Sequence, residues 1–216
     1  METTFSKSLA LLILTLSLAP PASAPAEEPD PHAHHHVQNQ SGSGVQRSQS
    51  DLAVPDVRLT REDGAQVSLP AELNDGKPVF LNFIYTSCTT ICPMTSQVFS
   101  MLQRKLGRDI DNVNLLSISI DPEQDTPARL SEYAQRFNAG KHWHHYTGTM
   151  AASIEAQRAF GVYRGDKMSH TPVTLVRMAP GKPWIRLEGF ATADQLYAEF
   201  LAGKVSATSA AAPHDG

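Results

Sequence analysis

Apolar residues fall into short runs that predict buried strands and into spaced sets that predict amphipathic helices. Residues 79–85 and 113–120 are apolar runs rich in β-branched and aromatic side chains, typical of central strands covered on both faces. After Pro93, apolar side chains recur at helical spacing, at Met94, Val98, Met101, Leu102 and Leu106. The pattern therefore predicts a buried strand that leads directly into a helix.

The rest of the chain continues the alternation of strands and helices. Residues 57–59 and 66–69 alternate around a Glu-Asp-Gly turn, which predicts a hairpin, and Thr126 before Pro127 predicts a helix start. Further strands are predicted at 143–147, 171–177 and 184–188, and further helices at 151–160 and 193–202. This order predicts an α/β, thioredoxin-like fold: a central mixed sheet flanked by helices, with an added N-terminal β-hairpin.

The N-terminal segment, residues 1–26, has the pattern of an export signal. Lys7 precedes an apolar stretch at 9–19 that is too short to span a bilayer comfortably. Small residues follow, and cleavage after Ala24 or after Ala26 fits the pattern; the alternative is an uncleaved membrane anchor. We expect a periplasmic protein, with tethering to the inner membrane if the N-terminus is retained.

Residues 27–53 are rich in Pro, Ser, Gln and Gly and predict a disordered tether. We define the histidine tract as the four histidines of this segment, His32, His34, His35 and His36. It is either a solvated part of the linker or a weak auxiliary site for copper or zinc. The folded domain is predicted at 54–203, and residues 204–216 are predicted as a disordered tail. The net charge of −4 and the absence of a basic stripe argue against nucleic acid as a partner.

Cys88 and Cys92, the only cysteines, lie where the predicted strand feeds the helix. The positive end of a helix dipole favours thiolate over thiol, and residues four apart on one helical turn can point the same way. Such a pair can close a disulfide or hold one soft metal ion with two sulfurs. The purely structural alternative is a clamping disulfide, which would stabilise little because it closes a very short loop.

Two segments resemble the Sco/SenC family of copper proteins. Residues 83–93 resemble its C-x-x-x-C-P segment, and residues 119–127 resemble its S-x-D-P-x-x-D-T segment; the similarity runs from about Val54 to Leu201. The resemblance implies a thioredoxin-fold metallochaperone that helps mature the dinuclear copper site of cytochrome c oxidase. The expected partners are the copper-bearing subunit of that oxidase or another copper acceptor, and a periplasmic thiol reductant.

The resemblance also implies that copper, as Cu(I) or Cu(II), is held by Cys88, Cys92 and His170. Two thiolates and one imidazole are a soft donor set that favours Cu(I) and accommodates Cu(II). Ser169 stands where the family often has Asp, which removes one carboxylate that could orient the histidine. Met168 is either an extra soft ligand or a packing residue.

A second hypothesis needs the cysteines alone. Cys88 and Cys92 would then be the redox-active pair of a thiol–disulfide oxidoreductase, one attacking and one resolving. A cis peptide before Pro172, facing the pair, would favour this hypothesis.

Other polar residues are given structural roles. Asp121 and Asp125 are expected to end a strand and cap a helix, although they could be catalytic carboxylates. His142, His144 and His145 are expected at the surface.

Overall fold

The computed structural model describes residues 44–210, with side chains for residues 44–206. The chain divides into two compact units, Met1–Gln40 and Ser41–Gly216, and the description below concerns the second unit alone. The predicted export signal at 1–26, the histidine tract and residues 211–216 lie outside the described residues. None of the helices within 44–210 is both long enough and apolar enough to cross a membrane.

The described residues form eight strands and five α-helices. The strands are β1 (Gln46–Ser50), β2 (Arg58–Arg61), β3 (Gln66–Ser68), β4 (Val79–Ile84), β5 (Asn114–Ser119), β6 (Trp143–Thr147), β7 (Val173–Arg177) and β8 (Trp184–Glu188). The helices are α1 (Leu69–Leu73), α2 (Ile91–Leu106), α3 (Pro127–Arg136), α4 (Met150–Ala159) and α5 (Ala193–Ala210). Short 3-10 turns lie at Gly107–Asn112 and Lys167–Ser169.

All eight strands join one mixed sheet in the order β1-β8-β7-β4-β5-β6-β2-β3. The central strand β4 runs parallel to β5 and antiparallel to β7, and β5 runs parallel to β6. This confirms the predicted mixed sheet, in which parallel strands are joined through helices and a closing hairpin adds antiparallel strands. The added hairpin consists of β2 and β3, and β2 pairs antiparallel with β6.

Both faces of β4 are covered, as its uninterrupted apolar run predicts. Leu81 and Phe83 belong to a core cluster with Ala156 of α4. Phe80, on the opposite face because side chains alternate along a strand, packs in a second cluster with Phe99 of α2 and with residues of α5. Every residue of β4 is buried, so the loop that follows it leaves from a rigid support.

Two helix starts have side-chain caps, and the first is at Thr126, where the sequence predicts a helix start. The Thr126 side chain accepts a hydrogen bond from the Arg129 amide at 3.3 Å at the start of α3. At the start of α5, the Thr192 amide donates to Gln195 Oε1 at 2.8 Å and the Gln195 amide donates to Thr192 Oγ1 at 3.2 Å. This second pair is a capping box, which satisfies two amides that the helix itself leaves unpaired.

Two predicted boundaries need correction. Strand β1 lies inside the segment predicted as a tether (27–53) and pairs with β8 from Gln46 to Ser50, so the sheet begins earlier than the predicted start at Val54. Its sequence is polar and its residues are mostly exposed, because an edge strand is held mainly by backbone hydrogen bonds and shows no apolar alternation. Helix α5 likewise continues past Gly203 to Ala210, into the segment predicted as a tail.

Candidate metal and thiol site

The two cysteines lie on the loop that joins β4 to α2 and on the first turn of α2. The Cys88 amide donates to the Tyr85 carbonyl at 3.1 Å, which closes a turn directly after the strand. Helix α2 begins at Ile91, and the Cys92 amide in its first turn donates to the Cys88 Sγ at 3.4 Å. The Cys88 sulfur therefore accepts an amide that a helix N-terminus would otherwise leave unpaired.

Because of this geometry, the two thiols differ in pKa. Burial acts against ionisation of Cys88, but the backbone amides of Cys92 and Thr90 outweigh it and lower the pKa of Cys88 to about 7. Burial raises the pKa of Cys92 far above that of an ordinary thiol, and the neighbouring Cys88 adds to the rise. Both cysteines are free thiols in the structure, with Cys88 the ionisable one near neutral pH.

Asp125, in the loop that follows the neighbouring strand β5, holds the cysteine loop. Its fully buried carboxylate accepts the Thr86 amide at 3.1 Å and the Thr86 hydroxyl at 2.5 Å. It also accepts the Ser119 hydroxyl, at the end of β5, at 2.6 Å. Asp125 was expected to cap a helix, but the side chain that caps α3 is Thr126. Nothing local in the sequence reveals this role, because Thr86 and Asp125 are 39 residues apart.

His170 lies at the entry to β7, antiparallel to β4, and so at the end of the sheet where β4 meets the cysteine loop. Its ring is buried, and Nε2 lies 3.1 Å from the Phe83 carbonyl oxygen. A carbonyl only accepts, so Nε2 carries the proton and Nδ1 of the neutral ring keeps its lone pair. Burial lowers the pKa of His170, with the Phe83 carbonyl acting in the opposite direction, so the ring is neutral at pH 7.

The loop before His170 is held by two further contacts. Lys167 Nζ lies 2.6 Å from Asp121 Oδ2, which ties this loop to the end of β5. The Tyr85 hydroxyl donates to Met168 Sδ at 3.7 Å, although Met168 remains 72% exposed. A cavity of about 380 Å³ opens beside these residues, lined among others by Asp121, Lys167 and His170. Asp121 therefore holds the loop that carries His170 through its ion pair with Lys167.

The structure brings the sequence-predicted residues together only in part. Cys88 and Cys92 are in contact, whereas His170 is bonded to the Phe83 carbonyl. Within residues 44–210, no three His, Cys, Asp or Glu side chains are already grouped closely enough to hold a metal ion. The peptide bond before Pro172 is trans.

His142 lies just before β6, His144 and His145 lie within it, and one of the three corrects an expectation. His142 and His144 are partly exposed, paired with Asp111 and Glu62 respectively, each at 2.9 Å. His145 was expected at the surface but is fully buried, and neither of its ring nitrogens has a hydrogen-bond partner. Burial lowers the pKa of His145 to about 4.

Comparison with known families gives a match over most of the described chain. The family model described as SCO1/SenC matches residues 45–198, which include the cysteine loop, the Asp125 segment and His170. A relative named SCO1 protein homolog, from Bacillus subtilis, is 36% identical over 95 residues, covering 44% of this chain and 48% of the relative. The chain therefore spans about half the length of such sequence relatives.

Solved structures share the fold over a greater length. Bradyrhizobium japonicum ScoI, whose structure has copper bound, is 27% identical with a TM-score of 0.57, covering 67% of this chain and 95% of that one. BsSco, described as a member of the Sco family of cytochrome c oxidase assembly proteins with a disulfide switch, is 26% identical with a TM-score of 0.61. That match covers 73% of this chain and 96% of BsSco, which confirms the thioredoxin-like α/β fold expected from the sequence.

Proposed function

This chain belongs to the SCO1/SenC family, and from that premise we propose that it is an exported copper-binding metallochaperone. Copper is its cargo, held by the sulfurs of Cys88 and Cys92 and by a ring nitrogen of His170. The acceptor is the copper-bearing subunit of cytochrome c oxidase or another exported copper protein. The copper bound to ScoI and the place of BsSco among cytochrome c oxidase assembly proteins support this assignment.

The observation that carries the proposal is the pair of thiols at the start of α2. The Cys92 amide at 3.4 Å from the Cys88 sulfur stabilises a thiolate, and the lowered pKa of Cys88 supplies that thiolate near neutral pH. Metal ligation by cysteine requires the thiolate, so Cys88 is the first ligand to engage. The high pKa of Cys92 means that a thiol proton leaves to solvent as the second sulfur binds.

His170 supplies a third donor whose ring is already neutral and in the tautomer that leaves one nitrogen free for copper. The Phe83 carbonyl fixes the Nε2–H tautomer, so Nδ1 is the nitrogen available to copper. Because burial lowers the pKa of His170 below the ordinary histidine value, Nδ1 carries no proton that copper would have to displace. Two thiolates and one imidazole suit Cu(I) and admit Cu(II), whereas a structural zinc site would require a fourth protein ligand.

A second candidate function is thiol–disulfide exchange with an exported protein. The observation that favours it is the split between the two thiols, with Cys88 ionised near neutral pH and Cys92 buried and protonated. An attacking thiol works best when its pKa is near the ambient pH, and a second thiol then resolves the mixed disulfide. This reaction requires Cys88 and Cys92 and has no need of His170.

The test compares copper binding across single variants of the full chain. Reduced protein is titrated with copper against a competing chelator that strips weakly held metal, and the thiolate-to-Cu(II) charge-transfer absorbance is recorded. Cys88→Ser and Cys92→Ser should abolish tight binding, since a hydroxyl is a poor ligand for Cu(I). His170→Ala should retain Cu(I) on two thiolates, weaken Cu(II) much more, and leave disulfide formation unchanged.

The matched control is His142→Ala, because His142 pairs with Asp111 ahead of β6, at the opposite end of the sheet. It should leave both the spectrum and the affinity unchanged. If His170→Ala and the unmodified protein gave identical spectra and affinities, His170 would be removed from the site and thiol exchange would become the preferred function.

A further inference from the structure

Met168 lies in the short 3-10 turn just before His170, and its side chain is largely exposed. The sequence allows two roles for this residue, an extra soft ligand or a packing residue. Its exposure rules out packing, because a methionine that fills a gap in a core is buried among apolar side chains. The contacts of its sulfur therefore indicate what the residue does.

The Met168 sulfur is held against the residue that begins the cysteine turn. The Tyr85 hydroxyl donates a hydrogen bond to Met168 Sδ at 3.7 Å. The Tyr85 carbonyl accepts the Cys88 amide at 3.1 Å, so one residue contacts both the cysteine turn and the thioether. The same hydroxyl is also a hydrogen-bond partner of the Cys88 thiolate. Both sulfurs are therefore neighbours of one phenol hydroxyl.

Met168 and His170 leave the same turn and reach the same end of β4. The His170 amide donates to the Lys167 carbonyl at 3.1 Å, which closes the turn. Lys167 Nζ lies 5.8 Å from the centre of the Tyr85 ring, so the turn is packed against Tyr85. Met168 contacts Tyr85, and the His170 ring contacts the Phe83 carbonyl two residues earlier. The thioether and the imidazole are therefore presented together beside the cysteine loop.

Met168 differs from the three proposed copper ligands in exposure and in chemistry. Cys88, Cys92 and His170 are buried, whereas Met168 places a sulfur at the surface beside them. A thioether is a soft, uncharged donor, which favours Cu(I) over the harder Cu(II). It carries no proton, so it binds a metal without the proton release that a thiol requires.

We infer that Met168 is a further ligand for Cu(I), which binds copper from the exposed side of the site held by Cys88, Cys92 and His170. This inference rests on the proposed function and adds the residue that favours one oxidation state of the cargo. One bond forms, from a lone pair of Sδ to copper; no electron is transferred and no proton leaves. A thioether sulfur has a second lone pair, which can keep the hydrogen bond from Tyr85.

The direct test follows the methyl group of Met168. Reduced full chain labelled with ¹³C at the methionine methyl groups is titrated with Cu(I) under argon, and the Met168 signal is identified by its absence from Met168→Leu. Ligation withdraws electron density from the sulfur, so this signal should move and level off at one equivalent of Cu(I). The signal of Met101, which is exposed on α2 but lies about 14 Å further along the helix than Cys92, should stay in place.

The second test measures affinity, with chelators for Cu(I) and for Cu(II) as competitors in separate titrations. Met168→Leu removes the thioether, so affinity for Cu(I) should fall about tenfold, or about 1.4 kcal/mol, while affinity for Cu(II) is unchanged. A tenfold loss for Cu(I) alone lowers the reduction potential of bound copper by about 59 mV. His170→Ala should move this potential in the opposite direction, because loss of an imidazole weakens Cu(II) more. Met101→Leu is the matched control and should change neither affinity.

The outcomes separate this inference from the proposed function. A Met168 signal that stays in place on addition of Cu(I), or equal Cu(I) affinities in Met168→Leu and Met101→Leu, would overturn the inference and leave the cysteine site standing. Equal losses of Cu(I) and Cu(II) affinity in Met168→Leu would also overturn it, since they would indicate a disturbed loop instead of a lost thioether bond. Absence of tight Cu(I) binding in the reduced, unmodified chain would refute the proposed function, and the inference would fail with it.

Discussion

Replacement of Asp125 tests whether the cysteine loop depends on a carboxylate from the loop that follows β5. In Asp125→Ala, the Thr86 amide, the Thr86 hydroxyl and the Ser119 hydroxyl lose their acceptor. Hydrogen bonds to a charged group contribute about 1.5–3 kcal/mol each, and a buried unpaired amide costs about 1–3 kcal/mol. The two hydroxyls can rotate towards other acceptors whereas the Thr86 amide cannot. We therefore expect a loss of about 3–5 kcal/mol in the free energy of unfolding.

The assay is urea unfolding of the reduced protein, followed by tryptophan fluorescence. For a chain of this length, each kcal/mol lowers Tm by about 2–4 °C, so thermal unfolding should shift down by about 10 °C. Asp125→Asn keeps one acceptor oxygen in place and should lose about half as much stability. Tight copper binding should weaken in both variants, because Thr86 no longer fixes the loop that carries Cys88.

Asp194→Ala is the matched control. Asp194 pairs with Lys105 at 2.6 Å, but its side chain is 79% exposed, and exposed ion pairs contribute at most about 1 kcal/mol. A loss in Asp125→Ala no larger than in Asp194→Ala would refute the reasoning, since it would mean that the Asp125 contacts do not hold the loop.

Two further predictions follow from titrating groups. Alkylation of Cys88 in the reduced Cys92→Ser protein should show an apparent pKa near 7 rather than the ordinary 9.0, because the helix amides favour the thiolate; a midpoint above about 8 would contradict this. His145 has a folded pKa of about 4 against 6.5 when unfolded, so the unfolded state takes up a proton first as pH falls. Stability should therefore drop by about 3 kcal/mol between about pH 6.5 and pH 4 and level off below, at about 1.36 kcal/mol per pKa unit. His145→Leu should remove most of this loss of stability. The variant should also be at least as stable as the unmodified protein at pH 7, because it removes a buried polar group that has no hydrogen-bond partner. An unchanged dependence of stability on pH would rule out His145 as the source of the loss.

The sequence by itself determined the elements and the position of the reactive pair. The apolar run that forms β4, the helical spacing of α2 and the caps of α3 and α5 are encoded within a few residues of each element, so pattern and cap chemistry are sufficient to predict them. The placement of Cys88 and Cys92 at a strand end and a helix start was predictable for the same reason. Their roles as copper ligands, and that of His170, remain predictions.

The tertiary structure alone decided how that pair is supported. The bond from Thr86 to Asp125 joins residues 39 apart in sequence, and the contact between His170 and Phe83 joins residues 87 apart. The polar strand β1 is defined by its backbone pairing with β8. The ring of His145 is packed against Tyr133 of α3 and Trp143 of β6. Periodicity and local motifs describe only neighbours along the chain. Contacts between distant segments, which bury Cys92 and fix the tautomer of His170, arise only when the whole sheet is assembled.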